Sequence, residues 1–264
     1  MKPLLRFDQA SLCVGEKTLL APLVLALSPG EMLGIAGPNG AGKSTLLRLA
    51  CGEYRPSSGC IELRGQDLRK WVPNARAKQV AFLPQTSSLQ FDFTVRQLVS
   101  LGRTPHKDLG GAGEGVIDRV LDDCDLRALA ARSYPTLSGG EQQRAQLARV
   151  LAQVLPNETD SDLSGQLLLL DEPTAALDIP HQQRMLRQLA ALRDRGCGIV
   201  LILHDLNILS RQTDRLLFLK QGEALAQGTT KELLREDTLS TLYDYPLKLS
   251  LLDSNPIPFV HTDD

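Results

Sequence analysis

Three short apolar stretches of the chain run almost without polar interruption and then stop on residues that carry chemistry. Met32 to Ala36 leads into a glycine-rich turn, Leu167 to Leu170 stops at Asp171-Glu172-Pro173, and Ile199 to Leu203 stops at His204-Asp205. Unbroken apolar runs suit strands covered on both faces by helices, the environment of a parallel sheet, and ligands of such sheets gather at the carboxyl ends of the strands. The polar tips therefore predict one site assembled from several strand ends. After the glycine-rich turn, Leu46, Leu47, Leu49 and Ala50 recur at helical spacing from Ser44 to Ala50, so this unit reads strand, loop, helix.

From Thr94 to Leu155 the pattern changes. Val95, Leu98 and Val99, and later Leu147, Val150, Leu151 and Val154, recur at i, i+3, i+4 and i+7, which predicts helices and no strand. The periodicity divides a single domain into an α/β core over about 1–90 and 157–240, a helical subdomain over about 91–156 and a tail over about 241–264. Within the helical part, Gly110 to Gly115 reads as a flexible stretch, and Pro156 to Gln166 reads as a solvated polar loop. Lys231 to Tyr243 carries a short helical pattern, and the Pro-containing tail, Ser254 to Asp264, is expected to be loosely held at its end.

Composition narrows the class without naming a partner. The 264 residues hold 29 basic and 31 acidic side chains, a net charge of −2, and are 42% hydrophobic, the make-up of a globular protein able to bury a core. So even a balance supplies no global attraction to nucleic acid or anionic lipid, and no nucleic-acid partner is expected. Cys13, Cys51, Cys60, Cys124 and Cys197 are odd in number and contain no CxxC pair, which suggests neither a disulfide framework nor a zinc site and suits a reducing cytosol. The N-terminal Met1-Lys2-Pro3-Leu4-Leu5-Arg6-Phe7 lacks the apolar region of a secretory signal, and no run approaches the ~18 apolar residues of a membrane span. Any link to a membrane is expected to run through a partner.

The chemistry starts at Gly37-Pro38-Asn39-Gly40-Ala41-Gly42-Lys43-Ser44-Thr45, whose first eight residues match G-x-x-x-x-G-K-[ST] between a predicted strand and a predicted helix. Glycines let backbone N–H groups converge on phosphates, and the helix N-terminus adds favourable potential. Lys43 supplies a point charge to the β- and γ-phosphates, and the Ser44 hydroxyl can ligate Mg²⁺. The bland alternative is a glycine-rich turn before a helix. At the second strand tip, Asp171 can hold the magnesium shell and Glu172 can face an attacking water, although an acid capping a turn before Pro173 would look the same. Ser138-Gly139-Gly140 at the start of a helix offers a second anion-binding surface, and Ser138 reads equally well as a plain N-cap.

Leu137-Ser138-Gly139-Gly140-Glu141-Gln142-Gln143 resembles the signature motif of the ATP-binding cassette family, and the family's other marks follow in order: Gln85 in Leu83-Pro84-Gln85, Asp178 in Ala175-Ala176-Leu177-Asp178, and His204 in Leu203-His204-Asp205. The resemblance implies a P-loop NTPase core of RecA-like type with a mostly parallel sheet, an antiparallel β part near the N-terminus and an inserted helical subdomain. It implies Mg²⁺-dependent ATP hydrolysis with Glu172 as general base, His204 on the γ-phosphate, and Gln85 as a magnesium and water contact that also senses a transport partner. It also implies a head-to-tail dimer, in which each ATP lies between Gly37 to Thr45 of one chain and Ser138 to Gln142 of the other, with Asp178 contributing. His106, His181 and His261 show no ligand spacing and read as surface or packing residues, with no transition-metal site expected. The family usually places an aromatic residue to stack on adenine where this chain has Val14, so weak discrimination between ATP and GTP is expected.

Leu83 to Phe91, Phe93-Thr94-Val95, Leu98 to His106, Tyr134 to Ser138 and Leu147 to Gln153 are similar to the ATPase subunits of bacterial haemin importers, within the group that also serves iron-siderophore and vitamin B12 import. The implied partners are a second copy, two membrane permease subunits and, indirectly, a periplasmic binding protein, with the chain peripheral on the cytoplasmic face of the inner membrane. The alternatives are a siderophore or cobalamin importer, a non-transport cassette ATPase such as one for iron–sulfur cluster assembly, and a small P-loop kinase.

Overall fold

The hairpin of β1 (Leu5–Val14) and β2 (Lys17–Leu27) precedes β3 (Met32–Ala36) and α1 (Lys43–Ala50). The chain then makes β4 (Ser58–Leu63), β5 (Gln66–Asp67), α2 (Pro73–Ala77) and β6 (Val80–Leu83). Helices α3 (Val95–Leu101), α4 (Glu114–Asp123) and α5 (Gly139–Val154) follow, and then β7 (Leu167–Asp171), α6 (Ile179–Asp194), β8 (Gly198–Ile202) and α7 (Leu206–Gln212). The hairpin of β9 (Arg215–Lys220) and β10 (Glu223–Thr229) leads to α8 (Thr230–Leu233), α9 (Glu236–Tyr243) and a ribbon of β11 (Lys248–Ser250) and β12 (Phe259–His261). These elements come from a computed structural model that describes residues 2–85, 92–107, 111, 113–157, 162–250 and 257–262.

The main sheet has the order β10-β9-β3-β8-β7-β6, all parallel except β10, which pairs antiparallel with β9 at the edge. The three apolar runs thus lie side by side as β3, β8 and β7, every residue of them buried, and their carboxyl tips point to the same edge. Successive side chains take opposite faces. Leu33, Ile35, Leu167, Leu169, Val200 and Ile202 pack with α1 and the antiparallel sheet β2-β1-β4-β5, whereas Met32, Leu168, Leu170, Ile199 and Leu201 pack toward α6 and the helical part. Each leucine withdrawn so completely from water contributes about 1.5–3 kcal/mol, so the sheet is a rigid base for its tips.

Helices α3, α4 and α5 share one apolar cluster through Val95, Leu98, Val99, Val116, Ile117, Val120, Leu147 and Leu151. Thr94 with Gln97 and Ser138 with Glu141 form capping boxes that start α3 and α5. Arg103, only 1% exposed, sends its guanidinium to the carbonyls of Ala152 at 2.8 Å and Leu155 at 2.7 Å, where a cation complements the C-terminal end of α5. No periodicity announces that arginine.

Four local expectations need correction. Glu114 and Gly115, placed by composition in a flexible stretch, open α4, because Glu114 suits a helix N-terminus and Val116, Ile117, Val120 and Leu121 supply a buried face; Gly110 and Ala112 lie outside the described residues. In the polar loop, Leu163 is 1% exposed and its amide donates to the Arg195 carbonyl, so one apolar residue draws the segment inward; residues 158–161 lie outside the described residues. Lys231 to Tyr243 is two helices rather than one, since Leu234 leaves helical geometry and Arg235 starts α9 from extended backbone. The end of the tail is also fastened where it is described: β12 pairs with β11, and the Asn207 side chain meets both polar groups of the Val260 backbone. Residues 251–256 and 263–264 lie outside the described residues.

Candidate active site

Neighbouring backbone forces glycine into the turn after β3. Gly37 takes φ 151°, and a Cβ there would stand 2.0 Å from the Leu219 carbonyl oxygen; Gly42, at φ 97°, would put one 2.9 Å from the Leu19 carbonyl oxygen. Only glycine tolerates both the conformation and the approach. The turn opens onto α1, whose first turn carries no acidic side chain, so its backbone N–H groups and the positive end of its dipole are available to an anion. Lys43 folds back over this turn and donates from Nζ to the carbonyls of Gly37 at 2.7 Å and Pro38 at 2.9 Å. Burial pushes its pKa below the usual lysine range, against the opposing pull of Glu172 and Asp171.

Asp171, at the last position of β7, is 3% exposed. Burial raises its pKa above the ordinary carboxylate range, with a hydrogen bond from the Ser44 side chain opposing the shift. The folded chain therefore binds this proton more tightly than the unfolded chain does. The cost of the charge is absent below the unfolded pKa and complete once pH has risen through the folded one. Asp171→Asn is accordingly expected to raise the melting temperature of nucleotide-free protein at pH 7, by scanning calorimetry, with the gain vanishing in acid; a lower melting temperature at pH 7 would contradict the assignment.

Glu172 occupies the left-handed region at φ 52°, a conformation costing about 1–3 kcal/mol that surrounding contacts must hold. Its amide donates to the Ile202 carbonyl at 3.1 Å. Gln85, just beyond β6, donates from Nε2 to Glu172 Oε2 at 2.8 Å, and His204 Nε2, just beyond β8, lies 2.5 Å from Glu172 Oε1. One carboxylate on the β7 tip is thus gripped from both neighbouring strand tips.

Asn39 to Thr45, Gln85, Glu172 and His204 line a single cavity of about 720 Å³. Gly37 and Pro38 hold Lys43 through their carbonyls, and Asp171 stands against Ser44. Other candidate residues are not brought there. Ser138 caps α5 by accepting from the Glu141 amide, Gly139 and Gly140 form its first turn, and Gln142 donates to the carbonyls of Tyr134 and Leu137. Asp178 caps α6 and accepts from His181 Nδ1 at 2.6 Å. These five residues lie outside the cavity lining, while Ser138 and Asp178 keep exposed side chains. His106 and His261 likewise lie outside the cavity lining, in hydrogen-bond contact with the Gln153 carbonyl and with Ser250 Oγ.

Sequence reasoning missed Lys17, Thr18, Leu19, Gln221 and Gly222, which complete the cavity wall. No motif marks them. They arrive because the start of β2 crosses the turn of the β9-β10 hairpin: Ala21 donates to the Gly222 carbonyl at 2.8 Å and Gly222 donates to the Ala41 carbonyl at 3.1 Å. Val14, by contrast, is 62% exposed at the end of β1 and is not part of this wall.

A glycine-bounded turn at a helix N-terminus beside a clamped carboxylate is chemically able to take phosphates and a water, and comparison with known proteins gives the family. Residues 20–175 match the family described as ABC transporter. The hemin import ATP-binding protein HmuV of Pseudomonas aeruginosa is 47% identical over 240 residues, covering 91% of this chain and 92% of that protein. The protein of the same name from Shewanella denitrificans is 39% identical over 264 residues, covering 99% and 97%. A solved ATP-binding subunit of an ABC transporter has the same fold, with a TM-score of 0.78 at 24% identity over 89% of this chain and 94% of that one. Matched by that family over more than half of its length and sharing 39–47% of its residues with these relatives along nearly the whole chain, this chain belongs to the ABC transporter family as an ATP-binding subunit.

Proposed function

We propose that the chain is the ATP-hydrolysing subunit of a bacterial importer that takes up haem across the inner membrane, and that it works as a head-to-tail dimer. The observation that carries the hydrolytic reading is Glu172, buried, conformationally strained and gripped by Gln85 and His204 at the wall of the phosphate cavity. ATP phosphates would take the amides of Gly37 to Thr45, and Lys43 would exchange its own loop's carbonyls for the β- and γ-oxygens. The hydroxyls of Ser44 and water, the Asp171 carboxylate and the Gln85 amide oxygen are hard oxygen donors of the kind Mg²⁺ takes, and the ion would supply charge neutralisation at the phosphates. Glu172 accepts the proton of the attacking water, and His204 steadies the γ-phosphate.

Ser138, Gly139, Gly140, Gln142 and Asp178 would reach a nucleotide only when a second copy presents them to this chain's cavity, which is why the dimer belongs to the reading. No helix among the described residues is long and apolar enough to cross a membrane, so attachment to the inner membrane would come through two permease subunits, with a periplasmic binding protein acting indirectly. Haem is supported as cargo by relatives named for hemin import along nearly the whole chain. The test is to reconstitute the chain with its neighbouring permease in liposomes. Haem-loaded binding protein is expected to stimulate ATP hydrolysis several-fold; stimulation by a siderophore- or cobalamin-loaded protein instead would overturn the cargo. With Val14 exposed and outside the wall, phosphates supply most of the affinity, and GTP is expected to compete with ATP to within about threefold. A strong preference for ATP in that competition would refute this.

A further inference from the structure

His204 carries out its contact from a three-residue link between β8 and α7, with its side chain more than half exposed, so something must hold that link in place. Asp205 caps α7 by accepting from the amides of Asn207 and Ile208. Asn207, three residues beyond His204, turns its side chain away from α7 to the tail: Nδ2 donates to the Val260 carbonyl at 3.0 Å, and Oδ1 accepts from the Val260 amide at 2.7 Å. The amide side chain thereby mimics one rung of a β ladder. Behind Val260 the connections continue. β12 pairs with β11, the Leu249 amide donates to Glu236 Oε1 at 3.0 Å and the Leu247 amide donates to Ser240 Oγ at 3.0 Å, which fastens the ribbon to α9. Lys220 then ties α9 to the main sheet, donating from Nζ to the Thr241 carbonyl at 2.5 Å and to Asp244 Oδ1 at 2.6 Å. Lys220 directly precedes Gln221 and Gly222 in the wall of the phosphate cavity.

The tail therefore closes a circuit from the wall of the cavity, through α9, β11 and β12, back to the base of His204. A second cavity of about 560 Å³, lined by His204, Asn207, Tyr243, Tyr245, Leu247 and Val260, lies between the His204 link and the tail, so the tail spans this gap and meets α7 through Asn207. Tyr243 is half-buried, its hydroxyl pushed up to about 12 by desolvation and faced by the Gly37 amide, which sets a neutral side chain against the start of the glycine-rich turn.

We propose that α9, β11 and β12 act as a strap that positions His204 over Glu172, with Asn207 as the positioning residue; this rests on the ATPase reading above. Asn207→Leu keeps the branched shape and the number of side-chain heavy atoms and removes both bonds. It is expected to lower kcat for ATP about tenfold while leaving ATP affinity, measured in a Glu172→Gln background, within about twofold. Asn207→Asp, which keeps acceptance from Val260 and loses donation to it, should fall between. Val260→Pro removes the matching N–H from the strap side, and combined with Asn207→Leu it should add nothing further. The decisive comparison is His204→Ala, in which Asn207→Leu is expected to have no additional effect. A tenfold loss that persists in full on top of His204→Ala, or a lowered melting temperature with kcat unchanged, would overturn the strap. If His204→Ala itself leaves turnover intact, it is the catalytic reading of His204 that fails.

Discussion

Glu172→Gln is expected to lower ATP turnover by about 10²–10⁴-fold, the range that general base catalysis contributes, while ATP still binds and the dimer stays closed. The substitution is nearly isosteric, so the β7 tip keeps its shape and the new amide can still engage one of the two groups that grip Glu172, Gln85 and His204. What it removes is the lone pair that receives the water's proton. Nothing in the phosphate turn changes, so equilibrium binding should be retained, and size-exclusion chromatography with ATP should show a persistent dimer where the unaltered protein shows a transient one. An undiminished hydrolysis rate would remove Glu172 from the reaction.

Lys43→Ala should fail at the earlier step. Its ammonium donates to two carbonyls of the turn and stands near Glu172 and Asp171, and a charge-assisted contact to phosphate is worth about 1.5–3 kcal/mol, or roughly 10–100-fold in affinity. Loss of the cation also leaves the carbonyls of Gly37 and Pro38 without that donor. Calorimetric titration with ATP is expected to show the weakened binding directly. Lys43→Ala with unaltered affinity would mean that the turn's amides alone hold the phosphates. Together the two variants separate binding from chemistry, since one should keep ATP without cleaving it and the other should scarcely hold it.

How far the sequence could be read follows the physics of each signal. β3, β7 and β8 were legible because strands buried on both faces must be apolar throughout, and their tips were legible because buried strands carry polar residues only where they emerge. The glycine-rich turn was legible because glycine is obligatory where Leu219 and Leu19 press on the backbone, and those contacts leave their mark as spacing. Lys17 to Leu19 and Gln221-Gly222 reach the same cavity through the crossing of two hairpins, and no local pattern records a crossing. Arg103 and Asn207 illustrate the same limit. Each is a polar residue satisfied by carbonyls or amides roughly 50 positions away, so its partner is set by tertiary packing and not by neighbours in sequence.

The central claim is that each ATP is enclosed by two chains, and a crosslink between them tests it most directly. One population carries Asn39→Cys on the phosphate turn and the other Ser138→Cys on the signature helix, both in a Glu172→Gln background with the native cysteines replaced. On mixing with ATP and a short bifunctional thiol reagent, a covalent species of twice the chain mass is expected, dependent on ATP and absent from either population alone. Failure to join the chains at these positions in the presence of ATP, with both thiols shown to be reactive, would contradict the account.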